Sequence, residues 1–551
     1  MSSALRTNDP AFMVPVERWI NRLAQETAPL QIGRGGPILI TQVENEYGSF
    51  AKRENASPDP THAYMTHMRD IFLRAGFTDS LLDTVDGGEE LPAGGVPGVY
   101  TGVNFGTGDH QRGMDALEAF QPGKPLLVTE YWPGWFDYWG HPHQTRPLAA
   151  QIEDVDYILH RGSGINLYMF HGGTSFGFMS GANLNDSRYL PQVTSYDYGA
   201  PLDEAGHPTP KFLAFRKIFA KYACSNSDSV IPSEAQSAKS RDPRISSGAP
   251  QNSAEDTTGE ACLPPIPEPP PVITIPTINL TESTPLWINL PAPVQSDVPK
   301  PMEQFDQAYG YILYRHQLPT AVSGDLVLDE LHDYAQIYLD GKLAGTLDRR
   351  NKQSTLPIVT AGPASLDILV ENSARINFSP AMRGESKGIT KSVTLAGQPL
   401  NNWQIYPLPM QQLPAENRFK GAYDDINNNS SHGCPTSPKA LHTAFLSGCV
   451  GSTGPMFYRG TFTLTATGDT FLDVRPLGKG ALWINGHPIG RFWNIGPQQT
   501  LYVPGPWLHQ GANEIVIFDL APPDHVPALA GLPAPILDGP VADKTPTGIP
   551  E

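Results

Sequence analysis

The chain of 551 residues carries 38 basic and 56 acidic side chains, a formal charge of −18 and an isoelectric point near 5.2, with 39% hydrophobic and 17% charged residues. That length and balance describe a globular protein of two to four domains, and the acidity disfavours nucleic acid as a partner while leaving a neutral substrate easy to accept. No run approaches the roughly 18 apolar residues that a membrane-spanning helix needs.

Residues 1–10 lack the basic, apolar and small-residue order of a secretion signal. They lead into an amphipathic helix, since Phe12, Val16, Ile20 and Leu23 recur at helical spacing and Asp9 before Pro10 predicts a capped start. A buried strand of a parallel sheet is expected at 37–46, where a short apolar run bounded by Gly35-Gly36-Pro37 ends abruptly in Glu44-Asn45-Glu46. Ligands bind at the carboxyl ends of parallel strands, so these carboxylates are a site by position. On an extended strand Glu44 and Glu46 point to the same side, and spacing alone does not choose between them.

Further strands are expected at 81–86, 98–106, 125–131 and 165–171, with helices near 61–75, 112–120 and 147–161 and a last one at 211–222. The strand at 125–131 ends in a single Glu130, followed by Tyr131, Trp132, Trp135 and Trp139. Two strand-end glutamates beside tryptophan and tyrosine match what glycoside hydrolysis needs: an acid and a nucleophile flanking the bond, and flat apolar surface for a sugar ring. Core packing beneath loops is the plainer account of those tryptophans.

Beyond Tyr222 the composition turns to Ser, Pro, Gly and acids, and 223–300 reads as a Pro-rich linker. The remainder reads as all-β and repeats itself. Tyr314-Arg315 and Ile337 to Lys342 with Asp340-Gly341 correspond to Tyr458-Arg459 and Leu482 to His487 with Asn485-Gly486, and Asp-Gly or Asn-Gly between alternating runs predicts hairpins. Two related β-sandwiches are expected, at 301–415 and 451–525, with a connecting segment at 416–450 that contains Asn427-Asn428-Asn429-Ser430-Ser431 and an irregular tail at 526–551. Trp483, Trp493 and Trp507 read first as packing residues and second as sugar platforms. Cys224 with Cys262, and Cys434 with Cys449, either close loops in an oxidising compartment or stay free thiols. His141 and His143 lack a third ligand at sensible spacing and no phosphate loop is present, so neither metal nor cofactor is expected.

Four blocks carry a more specific signal: Gln42-Val43-Glu44-Asn45-Glu46-Tyr47-Gly48, Thr129-Glu130-Tyr131-Trp132-Pro133-Gly134-Trp135, Tyr168-Met169-Phe170-His171-Gly172-Gly173-Thr174-Ser175-Phe176-Gly177, and Thr194-Ser195-Tyr196-Asp197-Tyr198-Gly199-Ala200-Pro201-Leu202-Asp203-Glu204-Ala205-Gly206. In that order they resemble the β-galactosidases of glycoside hydrolase family 35. The resemblance implies a (β/α)8 TIM barrel over 1–222, followed by two jelly-roll, galactose-binding-like β-sandwiches. Only about five β/α units are readable here, and closure of such a barrel requires eight. The first three units are therefore expected to be missing, and with them residues that grip the sugar hydroxyls.

The resemblance further implies an exo-acting, retaining β-galactosidase with Glu46 as acid/base and Glu130 as nucleophile. Asn45, Tyr168, Tyr198 and Trp132 would bind the sugar, and Glu44 would be structural. The substrate partner is then a small-molecule or polysaccharide galactoside. The same mechanism on another β-glycoside, such as a β-glucosaminide, and a non-catalytic truncated carbohydrate-binding protein remain open alternatives. Export of the full-length form, to the periplasm or outside, is an expectation of the family alone.

Overall fold

The computed structural model describes residues 4–53, 62–185, 187–223, 263–421, 454–523 and 525–540. All four cysteines, and with them both pairings considered above, lie outside these residues, as does the asparagine-rich stretch at 427–431. Among the described residues no helix is long and apolar enough to cross a membrane.

The first body is a parallel β/α unit. It opens with α1 (Pro10–Thr27), whose first turn is capped as expected by the Asp9 carboxylate accepting the Ala11 N–H at 2.8 Å. Five strands follow: β1 (Ile40–Gln42), β2 (Leu81–Gly87), β3 (Tyr100–Gly106), β4 (Leu127–Trp132) and β5 (Gly164–Leu167), all parallel and hydrogen-bonded in that order. Between and after them lie α2 (Tyr47–Arg53), α3 (Ala63–Ala75), α4 (Leu91–Gly94), α5 (His110–Phe120), α6 (Leu148–His160) and α7 (Pro210–Ala223). The expected helices are found within about two residues of their predicted bounds, because each is a clean amphipathic run stopped by Gly76 or a polar turn.

Two strands are shorter than expected. The segment predicted as a strand to residue 46 keeps only Ile40–Gln42, because Glu44 and Glu46 take left-handed conformations, φ 64° and 49°, and turn the chain out of the sheet. The period-two argument that put both carboxylates on one side is thereby corrected. The strand predicted to 171 ends at Leu167; 168–170 run on as a turn, and His171 forms an isolated bridge with Leu202.

Helices cover one face of the sheet. Val43 and Leu82 pack against α1 and α3, while Val103, Phe105, Val128 and Tyr131 pack against α5, α6 and α7. Val103, Leu117, Val128, Val155 and Ile158 are fully enclosed, each such side chain worth about 1.5–3 kcal/mol of burial. Residues alternate along a strand, so Asn104, between Val103 and Phe105, faces the opposite side, and its register partner on β4 is Glu130.

The carboxyl-terminal half is β-rich. A six-stranded and a four-stranded sheet enclose a core of Ile312, Tyr314, Leu326, Leu328, Ile337, Ile358, Val393 and Ile405. A nine-stranded sheet curls around a second core that includes Ile278, Leu482, Ile489 and Ile515. Both predicted hairpins are present. Asp340-Gly341 joins strands 334–339 and 342–348, Asn485-Gly486 joins 479–484 and 487–493, and all four turn residues have φ between 47° and 80°, the pair of left-handed positions that favours Asn or Asp followed by Gly. Tyr311, Leu313 and Tyr338 from the first β unit meet Phe457, Trp483 and Phe518 from the second, so the strand at 311–318 is buried on both faces over residues 311–314.

Two boundaries change. The expected linker at 223–300 contains a strand, β8 in chain order after the hairpin β6 (Gly181–Asn185) and β7 (Arg188–Pro191); it spans Ile275–Pro285 and pairs with both 456–464 and 528–532. Ile278 and Leu280 supply its alternation, hidden in the sequence by neighbouring prolines. The expected irregular tail likewise contributes the strand Ala528–Leu532, with Leu529 buried in the same core. The second β unit therefore takes strands from beyond both ends of the segment assigned to it.

Candidate active site

Glu46 stands where the chain leaves β1 and enters α2. Its backbone N–H reaches the Val85 carbonyl at 3.1 Å, holding the turn against β2. The same turn is fastened from below by Glu44. Arg6 donates to both oxygens of Glu44, at 3.2 and 2.8 Å, and to the Asn45 carbonyl at 2.5 Å; the Tyr64 hydroxyl donates to Glu44 as well. With both its oxygens engaged by Arg6 and Tyr64, Glu44 anchors this turn, whereas Glu46 meets Asn104 of β3.

The Asn104 side chain ties Glu46 to the strand that bears Glu130. Its amide N–H donates to Glu46 at 3.1 Å, and its carbonyl accepts the Thr129 hydroxyl at 2.7 Å. Glu130 accepts the indole N–H of Trp132 at 2.9 Å. Burial raises the pKa of Glu46, opposed by the Asn104 hydrogen bond and the charges of Arg6 and Arg53. Burial also pushes Glu130 up to about 7, with the Trp132 bond opposing and the negative charge of Glu46 adding to the rise. The two carboxyl groups feel each other, so the pair gives up its second proton less readily than its first.

An aromatic wall stands beside Glu130. Tyr198 is fully buried, 5.6 Å from Tyr196 in a stacked arrangement and 5.7 Å from Tyr168 edge-on, with Trp135 and Phe136 at 6.0 and 6.2 Å. Burial and the nearby charges of Glu130 and Glu46 keep the Tyr198 hydroxyl protonated far above its ordinary range. The hydroxyls of Tyr168 and Tyr196 lie 3.3 Å apart. Trp132 packs in the same cluster.

Of the six residues singled out from the sequence, Glu46, Glu130, Trp132, Tyr168 and Tyr198 are brought together. Asn45 sits on the exposed rim, its side-chain oxygen accepting the Gln42 amide at 2.9 Å. Trp139 belongs elsewhere: it is buried against Trp493 at 6.3 Å. Asn104 and Tyr196 were not singled out. Asn104 had a signal, a lone amide between Val103 and Phe105 in an otherwise apolar strand, and Tyr196 lay inside a recognised block. His143 is engaged with Asp137 at 2.7 Å, and among the described residues no group of three His, Cys, Asp or Glu is placed to hold a metal.

Two half-buried carboxyl groups at the carboxyl ends of parallel strands, with aromatic rings at their side, are the equipment of a glycoside hydrolase. Residues 1–222 match the model for glycosyl hydrolases family 35, residues 299–409 that for the first all-beta domain of beta-galactosidase, and residues 455–513 that for its galactose-binding domain. A beta-galactosidase of Xanthomonas manihotis is 39% identical over 503 residues, covering 91% of this chain and 72% of that protein. Human beta-galactosidase-1-like protein 3 is 34% identical, with 94% and 69% covered, and human beta-galactosidase 33% identical, with 94% and 71% covered. The chain belongs to glycoside hydrolase family 35.

Proposed function

We propose that this protein is an exo-acting β-galactosidase that removes terminal β-galactosyl residues with retention of configuration. The observation that carries the reading is the pair Glu46 and Glu130, both half-buried, with the charge of Glu46 adding to the rise at Glu130 and Asn104 joining Glu46 to the strand that bears Glu130. In the reaction, Glu130 attacks the anomeric carbon as a carboxylate while protonated Glu46 gives its proton to the leaving oxygen. The coupling serves this order: burial is the main reason the Glu130 pKa is raised, and a proton on Glu46 removes the charge that adds to that rise, so the acid form of one favours the nucleophilic form of the other. After the aglycone leaves, Glu46 is the base that activates water against the glycosyl-enzyme.

Trp132 holds Glu130 by its indole N–H, and Tyr198, with Tyr168 beside it, closes the site next to the nucleophile. Asn45 at the rim binds the sugar next to the reacting centre, where a bond to the 2-hydroxyl strengthens in the transition state. Residues 1–222 form the catalytic domain, of the (β/α)8 type, and the two following β units are jelly-roll domains of the galactose-binding kind. The names of the relatives support galactose as the sugar.

The test is chemical trapping. A 2-deoxy-2-fluoro galactoside with a good leaving group should inactivate the protein and add one fluorogalactosyl mass to the peptide containing Glu130. Glu130→Gln should fold normally and neither turn over nitrophenyl β-galactoside nor take the label. A label on Glu46, or undiminished turnover by the Gln variant, would sink the assignment.

A further inference from the structure

Lys211 is the second residue of α7, a place where the helix dipole favours acids and disfavours cations. Its ammonium does not turn to solvent. It donates to the Pro133 carbonyl at 2.6 Å and to the Gly199 carbonyl. These two carbonyls belong to the two segments that build the aromatic wall: Pro133 lies between Trp132 and Trp135, and Gly199 directly follows Tyr198.

The two segments already touch as closely as backbone allows. A Cβ on Gly134 would lie 1.6 Å from the Tyr198 carbonyl oxygen, so only glycine fits there. From the other side the fully buried Gln151 of α6 donates its amide to the same Pro133 carbonyl at 2.5 Å. Asp197 accepts the Gly199 N–H at 2.9 Å and is the charged group acting on Lys211; α6 presents the neutral Gln151, and the loop after β4 presents a carbonyl. Burial lowers the Lys211 pKa to about 8, with Asp197 opposing.

We infer that Lys211 is a positioning residue: its ammonium clamps the loop after β4 to the turn after Tyr198 and so holds Trp132 and Tyr198 against Glu130 in the geometry that receives the sugar. The inference rests on the proposed function for its consequence, but the clamp itself can be read without turnover. Displacing a binding wall by about 1 Å costs on the order of a hundredfold in rate, and a partly loosened wall costs less.

The experiment pairs Lys211→Met with Lys211→Arg. Amide exchange followed by mass spectrometry reports peptides spanning 131–136 and 196–200, and steady-state kinetics on nitrophenyl β-galactoside are taken from pH 6 to 9. In Lys211→Met both peptides should exchange about tenfold faster, with KM raised about tenfold at every pH and kcat changed less. Wild-type KM should climb above pH 8 as the ammonium is lost, whereas Lys211→Arg, which keeps its charge, should hold both peptides and keep KM low past that point. Unchanged exchange in Lys211→Met overturns the clamp; faster exchange with unchanged KM and kcat overturns its role in the site. Should Lys211→Met not fold, an Arg variant whose KM climbs with pH as the wild type's does overturns the inference. A wild type that shows the exchange difference against its variant but no turnover indicts the proposed function instead.

Discussion

Replacing Asn104 by Ala should move the alkaline side of the pH–rate profile upward. The Asn104 N–H donates to Glu46 at 3.1 Å and stabilises its charged form, so it holds the Glu46 pKa below the value that burial alone would set. A hydrogen bond to an ionised acceptor is worth about 1.5–3 kcal/mol, and Glu46 is only half-buried, so the lower end applies. At about 1.4 kcal/mol per unit, the shift is roughly one pH unit. The general acid must be protonated, so the descending limb of kcat/KM, which reports the free enzyme, moves to higher pH by that amount. The maximum should also fall about tenfold on an alkyl galactoside, whose leaving group needs a proton, and far less on a dinitrophenyl galactoside, whose leaving group does not. Thr129 is not stranded by the change, because its hydroxyl has the Val103 carbonyl at 3.2 Å as a second acceptor. A limb that stays in place or moves down, or equal losses on the two substrates, would refute the reasoning.

Glu130→Gln should be more stable than wild type at pH 8, by an amount on the order of 3 kcal/mol, because the folded protein holds the Glu130 pKa up at about 7. Its folded form binds the proton more tightly than the unfolded chain, so wild type loses this stability as pH rises from about 4 to 7. The gap in Tm should close near pH 4, and a Gln variant less stable at pH 8 contradicts it. Arg6→Ala removes the partner of a mostly buried Glu44 and the donor to Asn45, and denaturant titration should show a loss of about 3 kcal/mol with a matching loss of turnover. Gly134→Ala should cost at least about 1–3 kcal/mol, since the clash is with the Tyr198 backbone and cannot be relieved by a rotamer. A Gly134→Ala protein with wild-type Tm and KM would mean that the two loops are not held together.

What could be read from the chain alone follows the range of the forces involved. Helix faces, the five parallel strands and the two Asp-Gly and Asn-Gly hairpins depend on neighbours within one element, and periodicity with turn chemistry located them. The strand at Ile275–Pro285 was missed because its prolines argued for a spacer while its partners, 456–464 and 528–532, lie far along the chain. Glu46 and Glu130 were legible as strand-end carboxylates. The separation of Glu44 from Glu46 was legible only through family resemblance, because it rests on left-handed backbone at both residues and on Arg6 and Tyr64. Lys211 gave no signal, since a lysine early in a helix reads as a solvated charge until the carbonyls of Pro133 and Gly199 are seen above it.

The same long reach explains why the β units matter to a site they do not form. The block that ends in Tyr198 begins at Thr194, whose hydroxyl donates to the Arg491 carbonyl at 2.7 Å and accepts the Arg491 N–H at 2.9 Å; the Ser195 N–H donates to Gln498 at 2.9 Å. The loop after β4 is held at its far end by Arg350, which donates to the Trp139 carbonyl at 3.0 Å while stacking on Trp493 at 4.2 Å. Trp493 is buried in these contacts and Trp483 in the separate cluster with Phe178, Phe457 and Phe518, which spends their aromatic faces on packing and leaves neither free as a sugar platform. Both segments of the aromatic wall are therefore anchored twice, by Lys211 near the reacting centre and by the β units behind. Loosening either anchor should be felt first as a weaker grip on the sugar, before it is felt as a slower chemical step.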